Sequence, residues 1–543
     1  MVKGHYSKIK FYNNFFQNWI LLDLIFQKSN LIIIIKNQLL IISLMCDIMA
    51  EERAQWNSRW GFILAMVGSA VGLGNIWRFP NVLYANGGGS FMIPYIVAIF
   101  LLGVSFILVE YALGYRFKAS ISKILYSIKP KFEPIAWLIL AIIFLILTYY
   151  IVVVGWDLIY LVLSFTKGWG ANPDVFFSSN VLQASDSITG IFTFVPIVLI
   201  SVIVLWATIW VITQSDLNSG IEKVSKIVIP LLFIIVVVIV AFSLTLPGAS
   251  IGYTQIYTPD WSALLNFNVW LAAFGQIVFS LSLGMAIALT YASYLPEGFA
   301  LADNALLVAF TNSGFEVFNA FGVFSILGFM TFTTGIPFND LVTEGTGLAF
   351  VVFPQVFNQM GAASYIIGPL FFFSILFAGL TSAIALVEPI ASSLTEKFNI
   401  KRKRAATLVC LVGLIISLIF TTQAGSMILG VFDLFLNNYA LLFTIVLECI
   451  IFGWIYKFDN LIETLNENSR FKVGRIWKFV IRFALPIVIF ILWIQGIVNT
   501  LFSGDSATYS IMFILLISLI IVPVILAKMP AKNEKYYEVL DEL

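Results

Sequence analysis

The chain is a succession of long apolar runs separated by short polar segments. Twelve runs are each long enough to cross a bilayer as a helix, which takes about 20 apolar residues. The segment 335–362 is broken by Pro337, Pro354 and several glycines, and is predicted to be a structured outer loop. The pattern therefore predicts an all-α integral membrane protein. Its twelve transmembrane helices are expected near 61–84, 90–114, 133–165, 188–213, 220–246, 267–293, 302–333, 364–395, 405–422, 428–456, 473–499 and 508–528.

The first run is interrupted at its centre by Gly72, Gly74 and Asn75, and the charged Arg78 follows at once. A glycine inside a helix costs about 1 kcal/mol relative to alanine, so the helix can unwind there. At membrane depth an unwound backbone is tolerated only where it is buried in protein or lines a polar cavity. Its free carbonyl groups can bind a cation, and its free amides can bind an anion. This stretch is predicted to be a binding site.

The sixth run is interrupted in the same way by Ser280, Ser282 and Gly284. Two interrupted helices at corresponding positions of two halves are typical of a transporter whose site lies between inverted repeats. We therefore expect helices 1 to 5 to form one repeat over 49–246 and helices 6 to 10 an inverted repeat over 247–456. Residues 457–543 would hold helices 11 and 12 and a cytoplasmic C-terminus.

Composition supports a membrane protein and excludes several other classes. Sixty per cent of the residues are hydrophobic and 11% are charged, and the net charge of +1 gives no indication of a nucleic-acid partner. The single histidine, His5, excludes histidine zinc sites and His-containing triads in the membrane part. Three cysteines suggest no disulfide framework. No nucleophile–base constellation is present, so we expect neither an enzyme nor an organic cofactor.

Lys and Arg are concentrated in the loops after runs two, eight and ten. The alternate loops 247–266, 335–362 and 500–507 carry acidic residues but no Lys or Arg. By the positive-inside rule both termini are expected to be cytoplasmic, in a multi-pass protein of the plasma membrane.

Three ordered motifs carry a resemblance to a known family. The first runs from Trp60 through Gly-Asn-Ile-Trp-Arg-Phe-Pro (74–80) to Asn86-Gly87-Gly88-Gly89 and Phe91, Pro94 and Tyr95; the others are 279–294 and Phe-Ala-Gly-Leu-Thr-Ser (377–382). The chain after Met49 resembles the neurotransmitter:sodium symporters, in particular their prokaryotic, leucine-transporter-like amino-acid carriers. The resemblance implies the 5+5 inverted repeat with helices 1 and 6 broken, and sodium-coupled import by alternating access. It also makes Met49 the expected start, with residues 1–48 a doubtful leader from a misassigned start; a signal peptide or an extra span is the alternative.

The resemblance implies two sodium sites. The first would use the Ala70 carbonyl and the side chains of Asn75, Ser280 and Asn312, together with the substrate carboxylate. Ser280 stands where the family usually has Thr, so the hydroxyl is retained. The alternative is that these polar and small side chains only bond neighbouring helices. The second site would use the carbonyls of Gly68, Val71 and Ala378 and the hydroxyls of Thr381 and Ser382.

The resemblance also implies an α-amino acid substrate. Gly72 occupies the position where monoamine-carrying relatives have an Asp that pairs with the amine. Without that acid, a substrate carboxylate can bind the amides of Leu73 and Gly74 and the hydroxyl of Tyr150, beside Ser280. The other end of the pocket is apolar apart from one hydroxyl, which favours a hydrophobic or aromatic side chain. The residues expected to line this end are Ile146, Phe279, Ser282, Met285, Ala383 and Leu386.

Charged residues within the spans are assigned by the same resemblance. Glu316, one turn after Asn312, would supply the negative charge that chloride supplies in animal relatives, so chloride-independent transport is expected. Arg78 and Asp433 would form an outer gate with Phe279 and Tyr150 as the lid. Arg53 and Glu396 are expected to form the inner gate, with Trp56 packed beside them.

Two alternatives stay open at this point. The same fold could carry another small zwitterion or an osmolyte, or the chain could be a substrate sensor that does not transport. The sequence also leaves a homodimer open, with lipid and the amino-acid substrate as the other partners.

Overall fold

The computed structural model describes residues 54–185, 188–342, 345–501, 506–538 and 540. Over these residues the chain is helical, and its sole β-type pairing is an isolated bridge between Phe194 and Thr422. The leader 1–48 and Arg53 lie outside the described residues. The expected all-α fold is confirmed.

Among the described residues, ten helices are long and apolar enough to cross a membrane, and one bent pair of helices forms a further, broken span. Two shorter helices on either side of residues 281–286 form a second broken span. In chain order the helices that form the spans are α1 Arg59–Ala70, α2 Leu73–Ala85, α3 Gly88–Phe117, α4 Pro130–Ser164, α5 Pro196–Gln214, α6 Asn218–Leu244, α7 Phe267–Ser280, α8 Ile287–Ala292, α9 Leu301–Thr334, α10 Gly361–Phe398, α11 Arg402–Thr421, α12 Gly425–Ile455, α13 Arg475–Val498 and α14 Ala507–Lys528.

The first broken span consists of α1 and α2, which meet at an angle of 55°. Helix α1 ends at Ala70, because Val71 has extended dihedral angles, and α2 begins at Leu73 after the extended Gly72. The break therefore falls on the glycine-rich stretch that predicted it.

The second broken span consists of α7 and α8, which are separated by the non-helical residues 281–286. Three residues of this segment have a positive φ: Ser282 at 50°, Gly284 at 69° and Ala286 at 56°. Positive φ is unfavourable for Ser and Ala, so the surrounding helices must hold this conformation. Because α7 has 14 residues and α8 has six, neither half is long enough to span a bilayer alone.

Predicted and observed boundaries differ at one end of the fourth run. That run was expected from residue 188, but α5 begins at Pro196, and Ile188–Phe192 form a separate short helix. Proline is favourable in the first turn of a helix but disrupts a helix that would continue through it from earlier residues. The predicted loop 335–362 contains the short helices Phe338–Leu341, Leu348–Val352 and Phe353–Gln359.

The core lies around α3, α4, α9 and α10, which are mostly buried, whereas α13 and α14 expose most of their apolar surface. Helices α4 and α10 run antiparallel and in close contact. A Cβ at Gly379 would lie 2.7 Å from a methyl carbon of Val154, so this glycine sets how closely the two helices approach. The broken spans pack against this core, and that places their unwound segments inside protein.

Candidate functional site

The two helix breaks lie side by side inside the bundle. The hydroxyl of Ser282, in the break between α7 and α8, donates to the carbonyl of Ser69 in the last turn of α1 at 3.1 Å. Carbonyl groups in the last turn of a helix have no partner within the helix, so they accept bonds from outside it. The breaks thus form one polar region at the centre of the bundle.

Three amide and hydroxyl side chains form a continuous hydrogen-bonded chain across this region. Asn75 accepts from the amide of Gly72 at 2.9 Å, and its own side-chain amide donates to Asn312 at 2.8 Å. Asn312 in turn donates to the hydroxyl of Ser280 at 2.5 Å. All three side chains are buried: Asn75, Asn312 and Ser280. The hydrogen bonds therefore bring oxygen atoms that could coordinate a hard cation from α2, α9 and α7 to one water-free site.

Glu316 lies at the end of this chain, fully buried. Its carboxylate accepts hydrogen bonds from Tyr95 and, at 2.9 Å, from Gln276. One turn further along α9, Asn319 donates to the carbonyl of Ile76 at 3.0 Å. Glu316 therefore places a carboxylate beside the amide chain while its own oxygens are satisfied.

A second group of oxygens lies where α10 crosses the end of α1. The hydroxyl of Ser382 is within 3.3–3.4 Å of the carbonyl oxygens of Gly68, Ser69 and Val71. Its single proton can satisfy only one of these three acceptors, which leaves oxygen lone pairs directed into the same space. The neighbouring Thr381 hydroxyl donates back to the carbonyls of Phe377 and Ala378, at 3.0 and 3.1 Å. The sequence-predicted ligands of the second site are thus brought together.

Gly72 lies between the side chains of Tyr150 on α4 and Ser382 on α10. A Cβ added there would lie 3.2 Å from the Ser382 hydroxyl and 3.4 Å from the Tyr150 hydroxyl. The Tyr150 hydroxyl is sealed from solvent; the Ser382 hydroxyl and the Leu73 amide lie beside it, but neither makes a well-directed hydrogen bond with it. A sealed hydroxyl without a well-directed hydrogen bond is costly, so this donor is available to a ligand. The amides of Leu73 and Gly74, in the first turn of α2, face no acceptor within their own helix.

The side chains expected to line the apolar end of the pocket come from α4, the second break and α10. Ile146, Met285, Ala383 and Leu386 are buried, and Phe279 and Ser282 are half-buried. This end offers hydrocarbon and one hydroxyl, which already donates to Ser69.

The expected outer gate contains two side chains that the sequence did not assign, Tyr149 and Asn437. The guanidinium carbon of Arg78 lies 4.5 Å from the ring centre of Phe279, and Arg78 interacts electrostatically with Asp433. Asp433 also accepts a hydrogen bond from Tyr149 at 2.8 Å and one from Asn437 at 2.7 Å. Helix α4 is thus connected to the gate through Tyr149, in addition to the expected Tyr150.

The expected inner gate is only partly visible, because Arg53 lies outside the described residues. Trp56 is buried, and its indole donates to the carbonyl of Tyr291 at 2.8 Å. Glu396 accepts from the amide of Ser120 at 2.6 Å and lies 3.9 Å from the ammonium of Lys123. The pairing of Arg53 with Glu396 stays a prediction.

Sequence reasoning missed the residues that hold the site from behind. Tyr95 and Gln276 both donate to Glu316, and Asn319 bonds the backbone at the start of α2. Tyr95 belongs to a motif quoted above, yet only the fold shows that it reaches α9. A polar residue in an apolar run was the available signal for Gln276 and Asn319.

Comparisons with known proteins show which family the chain belongs to. The sequence profile of the Sodium:neurotransmitter symporter family matches residues 53–172 and 169–532. An uncharacterized sodium-dependent transporter of Methanocaldococcus jannaschii is 41% identical over 482 residues, which cover 88% of this chain and 98% of that one. The sodium- and chloride-dependent creatine transporter 1 of Bos taurus is 30% identical over 496 residues, which cover 82% of this chain and 77% of that one.

Among solved structures, the crystal structure of MhsT in complex with L-phenylalanine superposes with a TM-score of 0.70. It shares 30% identity and covers 82% of this chain and 100% of that one. The chain therefore belongs to the sodium:neurotransmitter symporter family and is a sodium-dependent membrane transporter, not an enzyme.

Proposed function

We propose that this transporter imports a hydrophobic or aromatic α-amino acid together with two sodium ions, without a requirement for chloride. The observation that carries the proposal is the sealed Tyr150 hydroxyl, which makes no well-directed hydrogen bond, beside Gly72 and the Leu73 amide at the N-terminal end of α2. A carboxylate fits there, because the first-turn amides and the positive end of the helix dipole stabilise an anion.

The apolar lining supports a hydrophobic side chain at the other end of the substrate. Ile146, Met285 and Leu386 are buried and offer no charge to a polar side chain. MhsT, whose crystal structure contains L-phenylalanine, supports the aromatic option. One methylene more or less changes binding by only about 1–3 kcal/mol in such a pocket, so a group of related amino acids is expected to compete.

The first sodium ion is proposed to bind between Asn75, Asn312, Ser280 and the Ala70 carbonyl. The hydrogen-bonded amide chain supports this, because it already gathers hard oxygen donors in one buried place. The substrate carboxylate would complete the same coordination shell. Sodium and substrate then raise each other's affinity, because such coupling is reciprocal.

The second sodium ion is proposed to bind where the Ser382 and Thr381 hydroxyls meet the carbonyls of Gly68, Val71 and Ala378. The carbonyls of Gly68, Ser69 and Val71 compete for the one Ser382 proton, which is the pattern expected of a site for a hard cation. An ion there would bridge α1 and α10. That bridge would hold the inner half of the first broken span against the scaffold.

Glu316 is proposed to replace chloride. It places a carboxylate, and with it a negative charge, one turn from Asn312, where the positive charge of the first sodium ion needs compensation. A neutral glutamine at this position would remove the charge, and chloride would then be expected to stimulate transport.

In the proposed transport step, the site closes to one side of the membrane and opens to the other. Arg78, Phe279 and Asp433 would close the outer side over the bound substrate. The helix ends around Trp56 would close the inner side. Rocking of the broken spans against α4 and α10 would then alternate access to the site.

A small zwitterion other than an α-amino acid is the second candidate, because the bovine relative is named as a creatine transporter. Its carboxylate would fit the same end of the site. The apolar residues Ile146 and Leu386 argue against its cationic end.

Uptake into proteoliposomes tests both candidates. The purified chain is given an inward sodium gradient, with potassium as the control, and a mixed pool of labelled amino acids and creatine. Accumulation of hydrophobic amino acids that collapses when the gradient is dissipated is the expected result. Accumulation of creatine alone would support the second candidate. Sodium-dependent binding without accumulation would instead indicate a sensor.

A further inference from the structure

Two buried acids that the proposed sites do not use lie beside the break in the second broken span. Glu110 on α3 is 1% exposed and Glu448 on α12 is 0% exposed. All four of their carboxyl oxygens are sealed from solvent, and none makes a well-directed hydrogen bond, although the Ala286 backbone lies beside Glu110. An unpaired carboxylate is very unstable in such surroundings and becomes neutral by taking up a proton. Acids within the membrane are rare and are by default associated with function.

The unwound segment 281–286 packs against both carboxyl groups. A Cβ at Gly284 would lie 2.4 Å from Ile445 and 3.7 Å from a carboxyl oxygen of Glu448. The backbone of Ala286 lies close to Glu110, and the two carboxyl groups interact with each other electrostatically. The pair is therefore sealed by the segment whose backbone must rearrange if α7 and α8 move.

Among the residues that the structure describes, no Lys or Arg interacts with either carboxyl group. The other titratable groups that interact with these acids are Tyr111 and Cys449, each next to one of them in sequence. Residues 281–290 of the unwound segment and α8 contain no ionisable side chain. Two like charges cannot both persist in one dry site without a counter-charge, so the sealed arrangement retains at least one proton.

We propose that Glu110 and Glu448 form a proton-binding site that couples protonation to the conformation of the second broken span. One proton is bound while segment 281–286 is packed against the pair. It is released to water when the segment moves away and the carboxyl groups become hydrated. This site is separate from Glu316, which lies on α9 and has its own hydrogen-bond donors.

The sign of the coupling follows from the position of Ser280 at the end of α7. The inference rests on the proposed binding of sodium to Ser280 and Asn312, which would order this end of the segment. Sodium binding then favours the sealed arrangement and takes up a proton. By reciprocity, acidification strengthens sodium binding. Direct competition between a proton and sodium at Glu316 would have the opposite sign.

The test is a sodium titration of the full chain in the Glu316→Gln background, which removes that competition. Sodium chloride replaces potassium chloride at constant chloride, and tryptophan fluorescence reports binding between about pH 5.5 and 8.5. The sodium midpoint is expected to fall on acidification, by no more than about tenfold per pH unit for one proton. Added Glu110→Gln or Glu448→Gln should flatten this dependence. The matched control Glu463→Gln, at an exposed position, should retain it.

Infrared spectroscopy gives a second, independent readout. The carbonyl band of a buried protonated carboxylic acid should be present in the Glu316→Gln protein and reduced in Glu110→Gln or Glu448→Gln. Because either variant alone should reduce it, the test stands if one of them fails to fold. Unchanged band intensity in both variants would overturn the proposal. The proposal would also be overturned if the sodium midpoint of Glu110→Gln and of Glu448→Gln depended on pH as it does in Glu463→Gln. If sodium gives no fluorescence response even in the parent, the proposed sodium site fails, and the infrared band alone decides this inference.

Discussion

At the scale of single residues, Asn75 shows how one side chain stabilises a broken helix and also forms a site. Its carbonyl oxygen accepts from Gly72 across the break, and its amide donates to Asn312 on another span. Asparagine is unfavourable in the middle of a helix but well suited to the first turn, where free amides need an acceptor. The same residue type thus explains the break and supplies an oxygen for a cation.

Replacing Asn75 with Ala should weaken sodium and substrate binding together. The change removes one oxygen from the proposed first sodium site, and the substrate carboxylate shares that site. We expect the sodium midpoint and the substrate dissociation constant each to rise by about tenfold or more, the effect of losing a charge-assisted bond of about 1.5–3 kcal/mol. Sodium-dependent binding to the purified protein measures both, with the exposed Asn468→Ala as the control. Unchanged sodium dependence in Asn75→Ala would contradict a shared coordination shell.

Replacing Gly72 with Ala should reduce substrate affinity without strain in the backbone. Gly72 has extended dihedral angles that any residue can adopt. The new methyl group would instead occupy the space between Tyr150 and Ser382, at 3.4 and 3.2 Å from their hydroxyls. We expect at least a tenfold loss of substrate affinity with little change in thermal stability. Gly275→Ala, where a Cβ meets nothing within 4 Å, is the matched control. Equal affinity in both variants would rule out a carboxylate at this position.

At the scale of elements, the N-terminal end of α1 is held by its neighbours through polar contacts. Glu222 at the start of α6 accepts from the Asn57 amide at 3.0 Å and from the Ser58 hydroxyl at 2.9 Å. Arg59 donates to Asn304 on α9 at 3.0 Å. A Cβ at Gly61 would lie 2.3 Å from a Glu222 oxygen, so only glycine allows this carboxylate to approach α1. These contacts must break if the inner half of the first broken span is to move.

Replacing Glu222 with Gln should loosen this end of α1. The side-chain amide of the new Gln can accept hydrogen bonds only through its oxygen. It also loses the ion pair with Lys226, whose ammonium nitrogen lies 2.6 Å from the Glu222 carboxylate. We expect faster backbone hydrogen exchange over residues 54–62, with a loss of local stability of about 1–2 kcal/mol. Lys226→Met is the matched control, because it removes the cation but leaves the bonds from Asn57 and Ser58. Equal exchange in the two variants would mean that the ion pair, rather than the contact with α1, matters.

At the scale of the whole molecule, the segment after α14 packs back against the ends of α4 and α10. Lys397 is fully buried and lies 2.6 Å from Glu133, whose carboxylate also accepts from Trp137 and from the Tyr536 hydroxyl. The carbonyl of Lys397 accepts from the amide of Lys532 at 2.9 Å. The C-terminal segment thus completes the buried ion pair next to Glu396, at the proposed inner gate.

Replacing Tyr536 with Phe should destabilise the protein by about 1–3 kcal/mol, because Glu133 loses a buried donor. Burial, and then the charge of Glu133, raise the pKa of Tyr536 well above that of an ordinary tyrosine. The neutral form is therefore favoured when folded, so this stabilisation is complete below about pH 10 and is lost as the pH rises from there. Thermal unfolding in detergent from neutral pH to above pH 10 should show a smaller alkaline loss in Tyr536→Phe than in the parent. The exposed Tyr537→Phe is the control. Identical pH profiles for the two variants would show that Tyr536 is not coupled to the fold.

The sequence by itself determined the class of this protein, the number and approximate bounds of its apolar runs, and the position of both breaks. These are local properties: hydrocarbon must cover about 20 consecutive residues of a span, and glycine and asparagine weaken a helix where they stand. The ordered motifs also identified the family, which the comparisons confirmed.

Only the tertiary structure decided which distant residues meet. Tyr95 and Gln276 at Glu316, Tyr149 at Asp433, and Glu110 beside Glu448 are far apart in sequence, and no periodicity within one span predicts such pairs. Each depends on the rotation and depth of two packed helices, which are set by close contacts such as Gly379 against Val154. A polar residue in an apolar run shows that a partner must exist, because an unsatisfied group in the membrane is costly, but packing alone selects that partner.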